Sequence, residues 1–135
     1  GTCDNGIRVG KCYYLNEATG EIFDGQHAEG VLHGEAKYVD ENKNSYEGIW
    51  NMGVREGYGI SVQNDGSKYI GQWKNNMKNG EGADTDKDGY TLKGIFTDGY
   101  LEEDGTLYFP NKAVAYEGEF QKSKFHYCIL LIHHL

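Results

Sequence analysis

Tyr46-Glu47-Gly48-Ile49-Trp50 returns 23 residues later as Tyr69-Ile70-Gly71-Gln72-Trp73. A further 23 residues reach Leu92-Lys93-Gly94-Ile95-Phe96, and 24 more reach Tyr116-Glu117-Gly118-Glu119-Phe120. Stepping back by 23 gives Phe23-Asp24-Gly25-Gln26-His27. The glycine two residues into the unit is present in all five copies, a coincidence that 20 glycines in 135 residues do not produce by chance. Further glycines keep the register. Gly30, Gly53 and Gly99 stand seven residues after a unit start, where Asn76 and Ser123 replace them in the other two copies. Gly34, Gly57 and Gly80 stand at eleven, and Gly59, Gly82 and Gly105 at thirteen. Gly6, Gly10 and Cys12 have the spacing of Gly53, Gly57 and Gly59, so the chain is expected to open partway through a copy. The sequence thus divides into a partial, degenerate repeat over 1–22, an array over 23–127 with units starting near 23, 46, 69, 92 and 116, and an apolar tail or cap over 128–135.

Alternation within the first motif puts Tyr46, Gly48 and Trp50 on one face of a strand. Large, absent, large side chains leave a hollow at Gly48 for an aromatic ring from a neighbouring strand. Asn51-Met52-Gly53 predicts a turn, since Gly and Asn tolerate positive φ, and a second strand is expected to begin near Gly57 and continue through Ile60, Ser61 and Val62. Asn64-Asp65-Gly66 and Lys87-Asp88-Gly89 predict the return turns, with Asn42-Lys43 and Asn111-Lys112 at the matching positions. Two strands and two tight turns per unit predict an all-β chain: an elongated, twisted antiparallel meander of stacked β-hairpins, about eleven strands in all. No helical period persists over the length a helix needs.

The chain carries 11 Tyr, 5 Phe and 2 Trp within a hydrophobic content of 38%. Flat rings are expected to cover a thin sheet where no second layer exists. Tyr46, Trp50, Tyr69, Trp73, Phe96, Tyr116 and Phe120 should line one face at regular intervals. Packing accounts for most of that ladder. The reading beyond packing is a partly open aromatic groove that accepts a partner helix or peptide, with Trp50 and Trp73 as anchors.

Tyr-x-Gly-x-Trp-x-x-Gly-x-x-x-Gly-x-Gly, spelled by residues 46–59, resembles the MORN repeat (membrane occupation and recognition nexus). Residues 69–82 depart from its glycines only at Asn76. Residues 92–105 carry Leu92 for Tyr and Glu103 for Gly, residues 23–36 carry His27 for Trp and Ala36 for Gly, and Ser123, Tyr127 and Ile129 replace the later glycines of the last unit. The resemblance implies a β-hairpin array with no chemistry of its own, acting as a scaffold, dimerisation surface or partner-binding groove in a cytoplasmic, cytoskeletal or ciliary setting. It also implies a second reading, in which the array is the regulatory or targeting part of an enzyme such as a lipid kinase or a lysine methyltransferase.

The formal net charge is −8, which repels phosphate backbones and anionic headgroups; Lys74, Lys78, Lys87 and Lys93 are dispersed among acids. Nucleic acid is therefore not an expected partner, and the membrane role in the family's name gains no support from charge. Cys3, Cys12 and Cys128 are odd in number and show no metal-ligand spacing, so free thiols in a reducing compartment are expected. No basic stretch followed by an apolar run opens the chain, so no signal peptide is expected. The apolar run from Cys128 to Ile132 is too short to cross a bilayer and is expected to cap a sheet edge or pair with another copy.

His27 occupies the aromatic position of its unit, where packing explains it, and His33, His126, His133 and His134 have no partner at ligand spacing. Asp84, Asp86 and Asp88 followed by Gly89 are similar to the start of a calcium loop, but the twelfth position is Ile95, and alternation is expected to place all three acids on one exposed strand face. Gly57-Tyr58-Gly59 and Gly80-Glu81-Gly82 are repeat glycines with no helix after them to present to a phosphate. No catalytic residue, cofactor or metal is expected. The leading expectation is a non-catalytic module that binds a partner protein or its own copy. A third reading, a secreted choline- or glucan-binding protein, rests on Tyr13-Tyr14-Leu15-Asn16 alone.

Overall fold

The turns organise this molecule. The computed structural model describes residues 10–125. Within each repeat the chain reverses through two residues that both have positive φ: Glu29 and Gly30 (51° and 86°), Met52 and Gly53 (45° and 84°), Asn75 and Asn76 (51° and 67°), Asp98 and Gly99 (50° and 94°), and Lys122 and Ser123 (49° and 66°). That pair of dihedrals is the type I′ turn, whose hand matches the twist of paired strands. Between repeats the chain returns through loops of four or five residues, 17–20, 40–44, 63–67, 86–90 and 109–113. In the loop after Val62, Gly66 donates its N–H to the Gln63 carbonyl and takes φ 95°. Gly89, Lys43 and Lys112 are the positive-φ residues of the matching loops.

These turns connect eleven strands: β1 (Gly10–Asn16), β2 (Glu21–Ala28), β3 (Val31–Val39), β4 (Ser45–Asn51), β5 (Val54–Val62), β6 (Lys68–Lys74), β7 (Met77–Thr85), β8 (Thr91–Thr97), β9 (Tyr100–Tyr108), β10 (Val114–Gln121) and β11 (Lys124–Phe125). They pair in chain order into one antiparallel sheet, and its two end strands do not meet, so it does not close into a barrel. Every extensive contact between elements joins consecutive strands, and no helix occurs among the described residues. Ten steps of about 4.8 Å make the sheet about 48 Å across, while its nine-residue strands are about 30 Å long. The expected all-β meander is the observed fold.

Four local expectations need correction. The second strand of the unit at residue 46 begins at Val54, directly after the turn, not near Gly57. Gly57, at φ 87°, instead forms a bulge opposite Ile49, and Gly34 and Gly80 repeat it at 94° and 100°. The ring over Gly48 comes from Tyr46 of its own strand rather than from a neighbour. Asp84, Asp86 and Asp88 do not share a face: Asp84 ends in β7, whereas the Asp86 carboxylate accepts the N–H groups of Asp88 and Tyr90 in the following loop. Cys12 is disulfide-bonded, so the free-thiol expectation fails at that residue and the argument for a reducing compartment loses its support. Cys3, Cys128, His126, His133, His134 and the apolar tail lie outside the described residues.

Candidate functional site

One row across the sheet explains where the rings sit. Paired positions from β1 to β10 read Cys12, Gly25, Ala36, Gly48, Gly59, Gly71, Gly82, Gly94, Gly105 and Gly118. The row is a channel almost free of side chains, and aromatic rings lie in it. Tyr46 donates its hydroxyl to the carbonyl of Ile49 on the same strand at 3.1 Å; Tyr69 and Tyr116 do the same to Gln72 and Glu119, at 2.9 and 3.0 Å. This bond lays each ring along its own strand and over the glycine two residues on. Trp50 and Trp73 close the channel from the other side, their indole N–H groups donating to the carbonyls of Ala36 and Gly59 at 3.1 and 3.3 Å.

The rings touch in series. Tyr46 stands edge-on between Trp50 and Trp73 at 5.0 and 5.2 Å, and Tyr69 stands between Trp73 and Phe96 at 5.2 Å to each. Leu92 replaces tyrosine in the next unit, and Leu101, fully buried, fills the place over Gly94 and Gly105. The ladder resumes with Tyr116 and Phe120 at 5.3 Å. Of the seven rings expected to bind a partner, six are core: Tyr46, Trp50, Tyr69, Trp73, Phe96 and Phe120 are each less than 8% exposed, and Tyr116 is half-buried. Burial pushes the Tyr46 and Tyr69 phenols up to about 12, offset in part at Tyr46 by the nearby Arg55 charge. His27 also packs in the core, donating from Nδ1 to the Gly25 carbonyl at 2.9 Å.

A groove of about 580 Å³ opens on the ring-bearing face over the second and third repeats. Phe23, Tyr38, Tyr46 and Trp50 line it together with Val31 and Leu32, and polar groups come from Asn44, Ser61, Gln63, Arg55 and Asn76. Trp50 therefore contributes to the floor, while Trp73 lies beneath Arg55, whose guanidinium carbon sits 4.6 Å from the indole centre and 5.7 Å from that of Tyr46. Asn76 fixes Arg55: its Oδ1 accepts from the Arg55 backbone N–H at 2.8 Å and from Nε at 3.3 Å, and its carbonyl accepts from a terminal nitrogen at 2.9 Å. Burial pulls the Arg55 pKa down, with the Tyr46 charge opposing it.

Reading the sequence by its strongest motif missed Arg55, Ser61 and Leu32. Their signal lies in the repeat all the same. Nine residues after the first four starts stand Leu32, Arg55, Lys78 and Leu101; fifteen after stand Tyr38, Ser61, Asp84 and Leu107. In the unit at 69 these two positions form an ion pair, Lys78 Nζ to Asp84 Oδ2 at 2.5 Å, with Lys78 lying 5.3 Å over the Tyr69 ring. Among the described residues, no three histidines, cysteines or acids are grouped as a metal site would require.

No curated protein shows a match to the chain. Residues 46–68 and 69–83 match the family model of the MORN repeat, and they are the two units in which the Tyr-Gly-Trp geometry is complete. Residues 46–83 of the chain are therefore MORN repeats.

Proposed function

We propose that this chain is a non-catalytic interaction module whose groove over β2 to β5 receives an extended or helical segment of a partner protein. One observation carries the reading: among the described residues the sheet has no second layer, yet its ring-bearing face leaves a concave groove with an apolar aromatic floor and a polar rim. MORN repeats as a class are protein-interaction and membrane-binding repeats and generally non-catalytic, which agrees with it. The net charge of −8 weighs against a direct role on anionic membranes. A choline-binding reading loses ground at the groove itself, because the Arg55 guanidinium repels a quaternary ammonium group.

Trp50 and Trp73 serve this function as supports rather than as exposed anchors, since both are enclosed by the chain's own rings. The experiment is site-specific photo-crosslinking in native extract. A photoreactive residue at Val31, on the groove wall, is expected to capture a discrete partner; the same residue at Ile95, 51% exposed outside the groove, is not. Equal capture from both positions would sink the groove assignment.

A further inference from the structure

We propose that the groove holds a carboxylate-binding subsite formed by Arg55 and Ser61, and that the acidic side chain of a partner segment occupies it. The inference rests on the groove reading above and adds the chemistry of what the groove recognises. Its basis is a comparison of two adjacent repeats. Arg55 stands to Ser61 in one unit as Lys78 stands to Asp84 in the next, separated in each case by six residues and placed at the same register of the sheet. Lys78 and Asp84 neutralise one another at 2.5 Å. Ser61 supplies no charge, and among the described residues no carboxylate pairs with Arg55. The unit that lines the groove carries the cation without the anion.

The guanidinium is held ready for a replacement. Asn76 takes its Nε–H and one N–H of a terminal nitrogen, which fixes one edge of the fork. The hydrogens of the opposite edge, one on each terminal nitrogen, have the planar spacing that a carboxylate accepts bidentately. Trp73 beneath and Tyr46 beside it screen the group from water, so a carboxylate meeting it there gains more than it would on an open surface. The acid lining the groove does not compete: the Asp40 carboxylate accepts the N–H groups of Asn42 and Asn44 and the Asn44 amide. Ser61 is 4% exposed, and its hydroxyl already accepts from the Gln63 amide at 3.2 Å, leaving the O–H to donate to a second carboxylate oxygen. The apolar floor beside the pair fits a side chain flanking the acid.

The test uses the full chain labelled with nitrogen-15, whose two tryptophans give two indole N–H signals, one beneath Arg55 and one in the groove floor. The probes are acetyl-Phe-Asp-amide, the neutral isostere acetyl-Phe-Asn-amide, and acetate. The aspartyl probe is expected to move the indole signals saturably and to bind about tenfold or more tighter than the asparaginyl probe, as charge-assisted hydrogen bonds require. Acetate is expected to bind more weakly than the aspartyl probe. Ser61→Asp, which restores the ion pair of the next repeat, and Arg55→Leu, which places the residue found at the matching positions 32 and 101, should each abolish the preference. Equal binding of the two dipeptides overturns the subsite while leaving the groove reading to the crosslinking result. Acetate matching the aspartyl probe, a preference that survives Ser61→Asp, or no response to any probe also overturns it.

Discussion

Tyr46 occupies the space that a side chain on Gly59 would need. A Cβ built on Gly59 falls against the Tyr46 hydroxyl and its ring edge, and one on Gly48 would stand 2.5 Å from the Gly59 Cα. The glycine of the second strand is therefore present for what it omits, and the ring is held there by its bond to the Ile49 carbonyl. Gly59→Ala should destabilise the chain by about 2–3 kcal/mol, the range for overpacking a filled site. Gly82→Ala should cost as much, because Tyr69 stands over Gly82 in the same way. Urea unfolding of the two variants measures this; an unchanged midpoint for either would show that the ring has room to move.

Glu103 takes φ 61° at the bulge position where three other units have glycine at 94°, 87° and 100°. An L side chain in that conformation costs about 1–2 kcal/mol relative to glycine, partly offset by the added chain entropy of glycine in the unfolded state. Glu103→Gly should raise stability by about 1 kcal/mol. The converse change, Gly57→Ala, should lower it by a similar amount. Thermal melts followed by circular dichroism read both signs in one series.

Asn76 separates two explanations of the same dihedral. Like Glu103 it is a non-glycine residue with positive φ, 67°, where Gly30, Gly53 and Gly99 stand in other units. Unlike Glu103 it is bonded to Arg55 through both its side chain and its carbonyl. Asn76→Gly should therefore yield no stability gain, because the backbone relief of about 1 kcal/mol is matched by the lost side-chain hydrogen bonds. A gain equal to that of Glu103→Gly would mean that the Asn76 side chain contributes nothing. Ser123 makes the analogous bond, accepting the Leu101 N–H at 2.9 Å, so its departure from glycine has the same cause.

The sheet and its turns were legible because the repeat states each rule several times: alternation, a side-chain-free position and a turn glycine recur at one spacing. The dual role of the glycines was only half legible. Gly48 and Gly59 are 11 residues apart in the chain and face each other across a hairpin, which follows from pairing register rather than from periodicity alone. Reading the second strand from its glycines placed its start at Gly57, because Val54, Arg55 and Glu56 carry no alternation that a pattern search would flag, although β5 begins at Val54. The groove was anticipated as a ladder of rings. Burial of those rings moved its distinguishing chemistry to Arg55, Ser61 and Asn76, residues whose meaning depends on what the neighbouring repeat has at the same position.

Alkaline pH should destabilise the array through phenols whose pKa burial raises, Tyr46 and Tyr69 together with Tyr38. Burial raises Tyr46 and Tyr69 from the ordinary 10.0 to about 12. A raised pKa means that the folded state prefers the neutral phenol, so the stabilisation is complete below pH 10 and is lost as pH rises toward 12. Urea midpoints should fall across that window. Tyr46→Phe and Tyr69→Phe together should flatten the decline while lowering the plateau by about 2 kcal/mol for two lost hydrogen bonds. A decline that is as steep in the double variant would assign the pH effect to other groups.

Trp73→Ala is expected to act on folding before it acts on any partner. The indole is 6% exposed, touches Tyr46 and Tyr69 at 5.2 Å each, supports Arg55 and donates to Gly59. Truncating a buried aromatic of this kind costs about 3–5 kcal/mol, from lost transfer energy and the cavity left behind. Among the described residues every extensive contact joins consecutive strands, so that loss uncouples the repeats on either side. Hydrogen exchange should then show protection falling in β4 to β8 while β1 and β2 keep theirs. Uniform loss of protection would instead describe a chain that folds as one cooperative unit despite its linear contacts. Val31→Ser offers the contrast: it lies on the groove wall at 38% exposure, so it should weaken partner capture with a stability change below about 0.5 kcal/mol.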